Sequence, residues 1–208
     1  MLALIDYGSG NIRSVANALR HVGAGVELVG HAGRLAEADA IVLPGVGAFA
    51  DCVHRLQERG LWEPLGEWLT AGRPFLGICV GYQMLFEESE ESPGVRGFGF
   101  LRGKVKRFRT PALKVPQIGW NELTLPENPH PLWRGLPAHP YVYFVHSYFP
   151  EPSDPTVITA RSTYGETFAA AAALGEVAGV QFHPEKSQAV GLSILRNFAT
   201  ATPAAAAR

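Results

Sequence analysis

The stretch Phe75-Leu-Gly-Ile-Cys-Val-Gly-Tyr-Gln83 decides the fold class of this 208-residue chain. It joins a short apolar run, residues 75–78, to a segment with helical spacing, residues 80–86. A buried strand that runs straight into a helix is typical of a parallel sheet covered by helices on both faces. Cys79, between two glycines, would occupy the tip of a sharp turn at the helix N-terminus, where the reactive thiolate is favoured.

The same alternation of strand and helix fills the first half of the chain. Apolar runs predict strands over residues 2–7, 26–29, 40–43 and 75–78, and helical spacing covers 12–22 and, with a break near Gly60 and Pro64, 49–69. Later runs at 98–108, 117–125, 141–149 and 156–161 predict strands with short loops. The sequence therefore predicts an α/β fold: a mostly parallel sheet covered by helices on both faces, with a small antiparallel annex.

The alanines at 169–173 allow two interpretations. Their propensity favours a helix, whereas the flanking Gly165 and Gly175 favour a hairpin. A last amphipathic helix is predicted around residues 191–198. We expect one domain over residues 1–202 and a frayed tail over 203–208.

Composition excludes several classes of function. Lys and Arg number 18 against 19 Asp and Glu, so the chain lacks the basic excess of a nucleic-acid-binding protein. No apolar run approaches the roughly 18 residues that suggest a membrane span, and the N-terminus lacks the basic region of a signal peptide. Two cysteines, Cys52 and Cys79, make no disulfide framework, which predicts a cytoplasmic location.

A second stretch with chemical potential is Gln181-Phe-His-Pro-Glu-Lys-Ser187. Pro184 pushes His183 towards an extended conformation, in which residues i and i+2 lie on the same side. Glu185 could then hold the His183 ring and leave the other ring nitrogen for a thiol. A metal site would need a third ligand at suitable spacing, and none is found, so no metal is predicted.

The glycine-rich run Pro44-Gly-Val-Gly-Ala-Phe49 ends the third predicted strand, beside the one that ends at Cys79. Its glycines let backbone N–H groups approach a substrate oxygen, and the N–H of Val80 would supply a second donor to such an oxyanion hole. The alternative is an ordinary strand-to-helix turn.

These motifs together strongly resemble the class I (triad) glutamine amidotransferases and, among them, the glutaminase subunits of imidazole glycerol phosphate synthase. The elbow around Cys79 and the stretch Gln181 to Glu185 are marks of the whole class. The narrower resemblance rests on residues 6–11, 44–49, 117–121 and 143–148. Val80 and Tyr82 depart from the usual elbow, but they flank the nucleophile and leave the expected activity intact.

The resemblance implies that the sheet is flavodoxin-like and doubly wound, and it also implies a role for each matching residue. Cys79, His183 and Glu185 would form the catalytic triad, and Val46 and Gly47 would shape the oxyanion region. Gln83, the backbone of Ser147 and Tyr148, and Glu91 would bind L-glutamine. The acidic neighbours of Glu91 also allow a plain solvated helix end at that position. No cofactor is implied.

The resemblance also implies a heterodimer in which ammonia passes to a (βα)8-barrel synthase subunit that makes imidazole glycerol phosphate for histidine biosynthesis. Large amphipathic side chains are enriched at interfaces, so we expect Trp120 and Tyr143 to face this partner. Asn11 and Lys186 would join them, with Lys186 paired to a partner carboxylate. An ordinary solvated lysine is the alternative for Lys186.

Other functions remain as alternatives. A nucleotide-binding protein is disfavoured because Arg13 stands where a dinucleotide fingerprint needs glycine. A cysteine peptidase or acyl hydrolase would share the Cys and His chemistry, and an inactive binding module would not need it. Among amidotransferases, the alternatives serve other acceptors, such as anthranilate or pyridoxal phosphate synthesis, and co-purification with the partner of a given pathway would distinguish them.

Overall fold

The computed structural model describes residues 1–201, so the predicted tail at 203–208 lies outside the described residues. The strands are β1 (Leu2–Ile5), β2 (Val26–Val29), β3 (Ala40–Gly45), β4 (Phe75–Cys79), β5 (Glu88–Ser89), β6 (Gly103–Arg107), β7 (Gln117–Glu122), β8 (Tyr141–His146), β9 (Tyr148–Pro152), β10 (Ile158–Tyr164), β11 (Glu166–Leu174) and β12 (Val177–Val180). The α-helices are α1 (Ile12–His21), α2 (Phe49–Glu58), α3 (Trp62–Thr70), α4 (Val80–Gln83) and α5 (Gln188–Ala201). None of these helices is long and apolar enough to cross a membrane.

A seven-stranded sheet in the order β10-β11-β12-β4-β3-β1-β2 forms the centre of the molecule. The five strands from β12 to β2 are parallel, and every residue of β1, β3, β4 and β12 is buried. Both faces of the sheet are therefore covered, with α1 packed against α5 and α2 against α3. The predicted doubly wound, mostly parallel α/β sheet is confirmed.

The order of the strands creates a crevice at one edge of the sheet. The chain moves from β1 outward to β2 and then returns to the other side of β1 with β3. Loops leave the carboxyl ends of β1 and β3 in opposite directions, which opens the space where ligands bind in such sheets. β4 lies next to β3 and delivers Cys79 to this same edge.

The alanine-rich stretch is a strand, and its helical interpretation is wrong. β11 carries residues 169–173 between its antiparallel neighbours β10 and β12. Gly165 and Gly175 have φ values of +72° and +61°, which suit glycine and close the two hairpin turns. Tertiary pairing overrides the helix propensity of alanine here.

The helix after Cys79 is shorter than predicted, and so is the strand at 98–108. Residues 84–86 do not continue α4 because their carbonyl oxygens accept hydrogen bonds from the loop at residues 98–101. For example, the Phe98 N–H donates to Met84 O at 2.7 Å and the Leu101 N–H to Leu85 O at 2.9 Å. That use of residues 98–101 confines β6 to Gly103–Arg107.

The segment predicted as one strand over 141–149 is two strands in different sheets. β8 pairs with β7 in a two-stranded antiparallel sheet, whereas β9 pairs antiparallel with β6 in a three-stranded one. The change of sheet occurs at Ser147, between the two strands. These small sheets confirm the predicted antiparallel annex, and the break brings Ser147 and Tyr148 to the crevice.

The turn at Cys79 has a strained backbone that its neighbours enforce. Cys79 has φ +56° and ψ −109°, a conformation that residues with a Cβ rarely adopt. The turn packs so closely against β3 that a Cβ on Gly81 would lie 1.9 Å from the Leu43 carbonyl oxygen. A Cβ on Gly77 would lie 2.6 Å from the Gly81 carbonyl oxygen. The two glycines therefore permit the turn that places Cys79 in the lining of the cleft.

We expect Gly81→Ala to lower the free energy of unfolding by about 2–3 kcal/mol, because the added methyl group overlaps the Leu43 backbone. The matched control is Gly66→Ala in α3, whose added Cβ would meet only the Phe98 ring at 4.0 Å. That variant should gain up to about 1 kcal/mol from the helix propensity of alanine. Urea unfolding measures both; a Gly81→Ala variant as stable as the parent would contradict this description of the turn.

Candidate active site

A cleft of about 560 Å³ opens at the carboxyl ends of β3 and β4. The register explains its place, since Gly45 at the end of β3 pairs with Cys79 at the end of β4. The cleft is lined by most of the residues that the sequence singled out: Asn11, Val46, Gly47, Cys79, Val80, Gln83, Glu91, Ser147, Tyr148, His183 and Lys186.

Cys79 lies at the bottom of the cleft, and only 5% of its surface is exposed. Its sulfur is 3.7 Å from the Gln181 side-chain Nε2 and 4.0 Å from the Val145 carbonyl oxygen. The His183 side chain interacts with the same sulfur, and this interaction favours the charged form of the ring and raises its pKa. The thiol is therefore surrounded by polar groups, unlike a cysteine packed as a small apolar side chain.

His183 and Glu185 form the predicted pair, but through a different backbone conformation. The His183 Nδ1 atom lies 3.0 Å from Glu185 Oε1, and the Glu185 side chain is fully buried. The chain does not stay extended after His183; residues Pro184–Lys186 form a 3₁₀ turn. The Ser187 hydroxyl closes this turn by donating to the His183 carbonyl oxygen at 2.7 Å.

The charge state of His183 follows from two opposed effects. Burial alone lowers the pKa of His183, because a charged ring loses its hydration. Hydrogen bonds to Cys79 and Glu185, together with the negative charges of both partners, outweigh burial and raise the pKa of His183 to about 10. At neutral pH the ring is an imidazolium, which stabilises a thiolate on Cys79.

Asn11 makes its contact inside the site. Its Nδ2 donates to Glu185 Oε1 at 3.2 Å, so the carboxylate oxygen that binds His183 accepts two hydrogen bonds. The other oxygen, Oε2, is buried without a hydrogen-bond partner among residues 1–201. Asn11 thus helps to orient the carboxylate behind the histidine.

A row of buried amides, with one histidine, lies beside the cleft. Gln83 Nε2 donates to the Tyr148 carbonyl oxygen at 3.0 Å and to Gln181 Oε1 at 3.1 Å. His146 Nδ1 lies 2.9 Å from the same Tyr148 oxygen, and its Nε2 lies 3.0 Å from the Gln117 side-chain amide. Burial lowers the pKa of His146 to about 4, so this ring is neutral at pH 7.

Sequence reasoning did not single out His146, Gln117 or Gln181 as site residues. Each stands inside a motif that was quoted for the resemblance, so their positions were available. Their burial was the missing signal, because an amide or imidazole that is 0–6% exposed needs partners that only the tertiary fold reveals.

Glu91 lines the cleft and also binds a helix end. Its Oε2 accepts the Phe49 N–H at 2.8 Å, while the Ser92 hydroxyl accepts the Ala50 N–H at 3.2 Å. These are free N–H groups of the first turn of α2, where a carboxylate is favoured. Glu91 therefore ties α2 to the cleft wall.

Side-chain donors bind the backbone carbonyl groups at the end of β3 and in the loop that follows it. The Val46 carbonyl oxygen accepts the Ser9 hydroxyl at 2.8 Å and the Cys52 thiol at 3.5 Å. The Tyr7 hydroxyl donates to the Pro44 carbonyl oxygen at 2.9 Å. Any rotation of the peptide between Val46 and Gly47 must break the contacts of Ser9 and Cys52.

Trp120, Tyr143 and Lys186 form a group at the rim of the cleft. The Trp120 and Tyr143 rings meet edge to face at 5.9 Å, and Lys186 Nζ lies 5.9 Å from the centre of the Tyr143 ring. The Tyr143 carbonyl oxygen accepts the His183 N–H at 2.9 Å. This rim group is thus bonded through its backbone to the segment that carries His183.

No group of three or more His, Cys, Asp and Glu side chains within residues 1–201 is arranged to hold a metal ion. The cleft and its base bring together a thiol, an imidazole and a carboxylate. A charged imidazole that interacts with a thiol on one side and a buried carboxylate on the other is the arrangement used for nucleophilic acyl transfer.

Residues 3–202 match the family described as glutamine amidotransferase class-I. The chain belongs to this family. The predicted resemblance of the sequence to class-I glutamine amidotransferases is confirmed.

Two solved structures share the fold of this class-I amidotransferase at low sequence identity. One, a glutamine amidotransferase, has a TM-score of 0.74 at 20% identity and covers 94% of this chain and 98% of its own. The other, PurLQS from Thermotoga maritima, has a TM-score of 0.74 at 18% identity and covers 95% and 96%.

Other class-I amidotransferase relatives are much more similar in sequence. Imidazole glycerol phosphate synthase subunit HisH of Thermosynechococcus vestitus is 50% identical over 199 residues, or 95% of each chain. The protein of the same name from Methylococcus capsulatus is 47% identical over 206 residues, covering 95% of this chain and 94% of its own. The one from Aromatoleum aromaticum is 46% identical over 212 residues, covering 97% and 99%.

Proposed function

We propose that this chain is the glutaminase subunit of an imidazole glycerol phosphate synthase: it hydrolyses L-glutamine to glutamate and ammonia through a thioester on Cys79. The observation that carries the proposal is that His183, at the base of the cleft, interacts with both Cys79 and the fully buried Glu185. The relatives named as HisH subunits support the choice of pathway, histidine biosynthesis.

The first half-reaction uses the ion pair directly. The Cys79 thiolate attacks the side-chain amide carbon of glutamine, and the carbonyl oxygen becomes an oxyanion. The Val80 N–H and an N–H of the loop at Val46 and Gly47 would bind that oxyanion. As the carbon–nitrogen bond breaks, His183 gives its Nε2 proton to the leaving amine, which releases ammonia and leaves a thioester.

The second half-reaction restores the enzyme. The neutral His183 takes a proton from water, and the oxygen attacks the thioester carbon. The carbon–sulfur bond breaks, the thiolate returns, and the His183 imidazolium stabilises it while glutamate leaves. Glu185 stabilises the imidazolium through its contact with Nδ1.

The amino-acid end of glutamine would bind at the other end of the cleft. Both amide hydrogens of Gln83 are used within the protein, so its carbonyl oxygen is the atom left for the substrate ammonium group. The Tyr148 carbonyl oxygen already accepts two hydrogen bonds. The predicted contact with the Ser147-Tyr148 backbone would therefore use the other backbone groups there, and the Glu91 carboxylate would add a second contact to the ammonium.

A (βα)8-barrel synthase subunit is the proposed partner and the receiver of the ammonia. The hairpin of β7 and β8 exposes a set of large apolar side chains at the rim: Ile118 (63% exposed), Trp120 (46%) and Tyr141 (50%). Trp120 pairs across the strands with Tyr143, which contacts Lys186. A contiguous exposed apolar surface of this kind supports a protein interface, with Lys186 facing a partner carboxylate.

The partner would also control the oxyanion hole. A free glutaminase would waste glutamine, so activity should depend on the complex. Rotation of the Val46–Gly47 peptide would complete the hole, and the contacts of Ser9 and Cys52 with the Val46 carbonyl oxygen oppose that rotation. Binding energy from the partner and its ligand would offset their loss.

We expect Cys79→Ala to lower glutaminase activity by at least about 10³-fold, because the nucleophile is lost while the fold is retained. His183→Ala should be almost as severe. Glu185→Gln should be milder, since the amide still orients the ring but stabilises the imidazolium poorly. Glutamate production by the complex measures these rates, with Glu63→Gln on the exposed face of α3 as the matched charge control. A Cys79→Ala variant within tenfold of the parent would exclude the mechanism.

Glutamate production should rise in two steps, from the isolated chain to the complex and from the complex to the complex with the partner's nucleotide ligand. One lost oxyanion donor costs about 10²–10³ in rate, so the full ratio should reach at least that order. Lys186→Ala should weaken the response, and Lys104→Ala, on the exposed side of β6, should not. Equal rates in all three states would rule out the gating, and an unchanged response in Lys186→Ala would remove Lys186 from it.

A further inference from the structure

The amide of Gln181 is placed beside the Cys79 sulfur by the register of the central sheet. β12 and β4 are parallel neighbours, and their last pair is Val180 with Ile78. The next residues along the chain are Gln181, directly after β12, and Cys79, the last residue of β4. Gly45 flanks Cys79 on the opposite side, from β3. The nucleophile therefore has one polar neighbour in the plane of the sheet, and it is Gln181.

Burial of this amide demands an explanation. The Gln181 residue has no exposed surface, and an amide without partners in such a place costs free energy of folding. Its Oε1 accepts from Gln83 at 3.1 Å, and its Nε2 lies 3.7 Å from the Cys79 sulfur. The Cys79 sulfur thus accepts a hydrogen bond from the Gln181 side-chain nitrogen.

The direction of the amide is fixed by the groups on its far side. A backbone carbonyl oxygen can only accept, so the Tyr148 oxygen requires that Gln83 present its NH₂ group. The same NH₂ group then needs an acceptor in Gln181, which must turn its carbonyl oxygen towards Gln83. The NH₂ group of Gln181 is left to face Cys79.

We propose that Gln181 is a positioning residue for the nucleophile: its amide N–H donates to the Cys79 thiolate, and Gln83 holds that amide in the donating orientation. The proposal deepens the glutaminase assignment and rests on it for its importance in catalysis. It joins the substrate-binding end of the cleft to the sulfur, since Gln83 contacts both Gln181 and the backbone carbonyl group of Tyr148.

Several other ionisable groups act on the same sulfur, and they remain in every variant below. His183 interacts with it from the turn after β12, and burial together with the negative charge of a Cys79 thiolate raises the pKa of Cys52 in α2 and of Tyr7 after β1. His146 in β8 and Lys186 in the 3₁₀ turn line the cleft above it, and Glu185 acts on it through His183. Any difference in the reactivity of Cys79 between the parent and a position-181 variant therefore reports the change at position 181 alone.

The test measures the rate of alkylation of Cys79 by iodoacetamide against pH, followed on its own peptide by mass spectrometry, so that Cys52 does not contribute. Only the thiolate reacts, and a hydrogen bond to a charged group has an effect of about one pH unit or more. We expect Gln181→Met to move the midpoint of the profile up by about one unit, which lowers the rate below the midpoint about tenfold. Gln57→Met, the same exchange on the exposed face of α2 and away from the cleft, should leave the midpoint unchanged.

Gln181→Glu tests whether the side chain at position 181 faces the sulfur. A glutamate still accepts from Gln83 but offers the thiolate an oxygen in place of an N–H. If this variant alkylates like the parent, position 181 does not act on the sulfur, and that result would overturn the proposal. Our proposal expects a larger upward shift than in Gln181→Met, because a negative charge now faces the thiolate.

The result is independent of the reaction assigned to the protein, because alkylation needs neither glutamine nor the partner. Gln181→Met with an unshifted midpoint and a native unfolding transition would overturn the proposal even if the parent hydrolyses glutamine. If Gln181→Met shifts the midpoint but the parent complex produces no glutamate, the proposed function is excluded while the Gln181 contact with the sulfur is supported.

Discussion

The contact between the Cys79 sulfur and the His183 ring is made where water is nearly excluded, and the rest of the site makes that contact favourable. Burial opposes the charge on His183, yet the ring remains an imidazolium because a sulfur and a carboxylate face its two nitrogens. The same charge then stabilises the thiolate. Removing either partner would leave the other charge buried without compensation, which is costly.

Backbone geometry maintains this contact. The strained turn at Cys79 depends on glycines at 77 and 81, because the elbow packs against the β3 backbone with no room for a side chain. On the histidine side, the 3₁₀ turn at Pro184–Lys186 holds Glu185 against the ring. Strain at an active-site residue persists only where the surrounding structure fixes it, and here the central sheet does so.

Local sequence predicted the sheet, the elbow and the positions of Cys79, His183 and Glu185, because apolar periodicity and glycine placement are local signals. It did not decide the alanine stretch, where strand pairing overrode helix propensity. The break at Ser147 and the short helix after Cys79 depend on hydrogen bonds from distant segments. The contacts of Gln181, His146 and Ser9 were likewise hidden, since burial and partners emerge only from the packed fold.

The protonation state of His183 tests the account most directly. We predict that ¹⁵N NMR of histidine-labelled protein will show His183 doubly protonated up to about pH 8, with neutral His146 as an internal reference. In Cys79→Ala, burial of the ring persists but the sulfur is gone, so the pKa of His183 should fall and a larger neutral fraction should appear at each pH. A neutral His183 at pH 7 in the parent chain, or an identical titration in both proteins, would contradict the account.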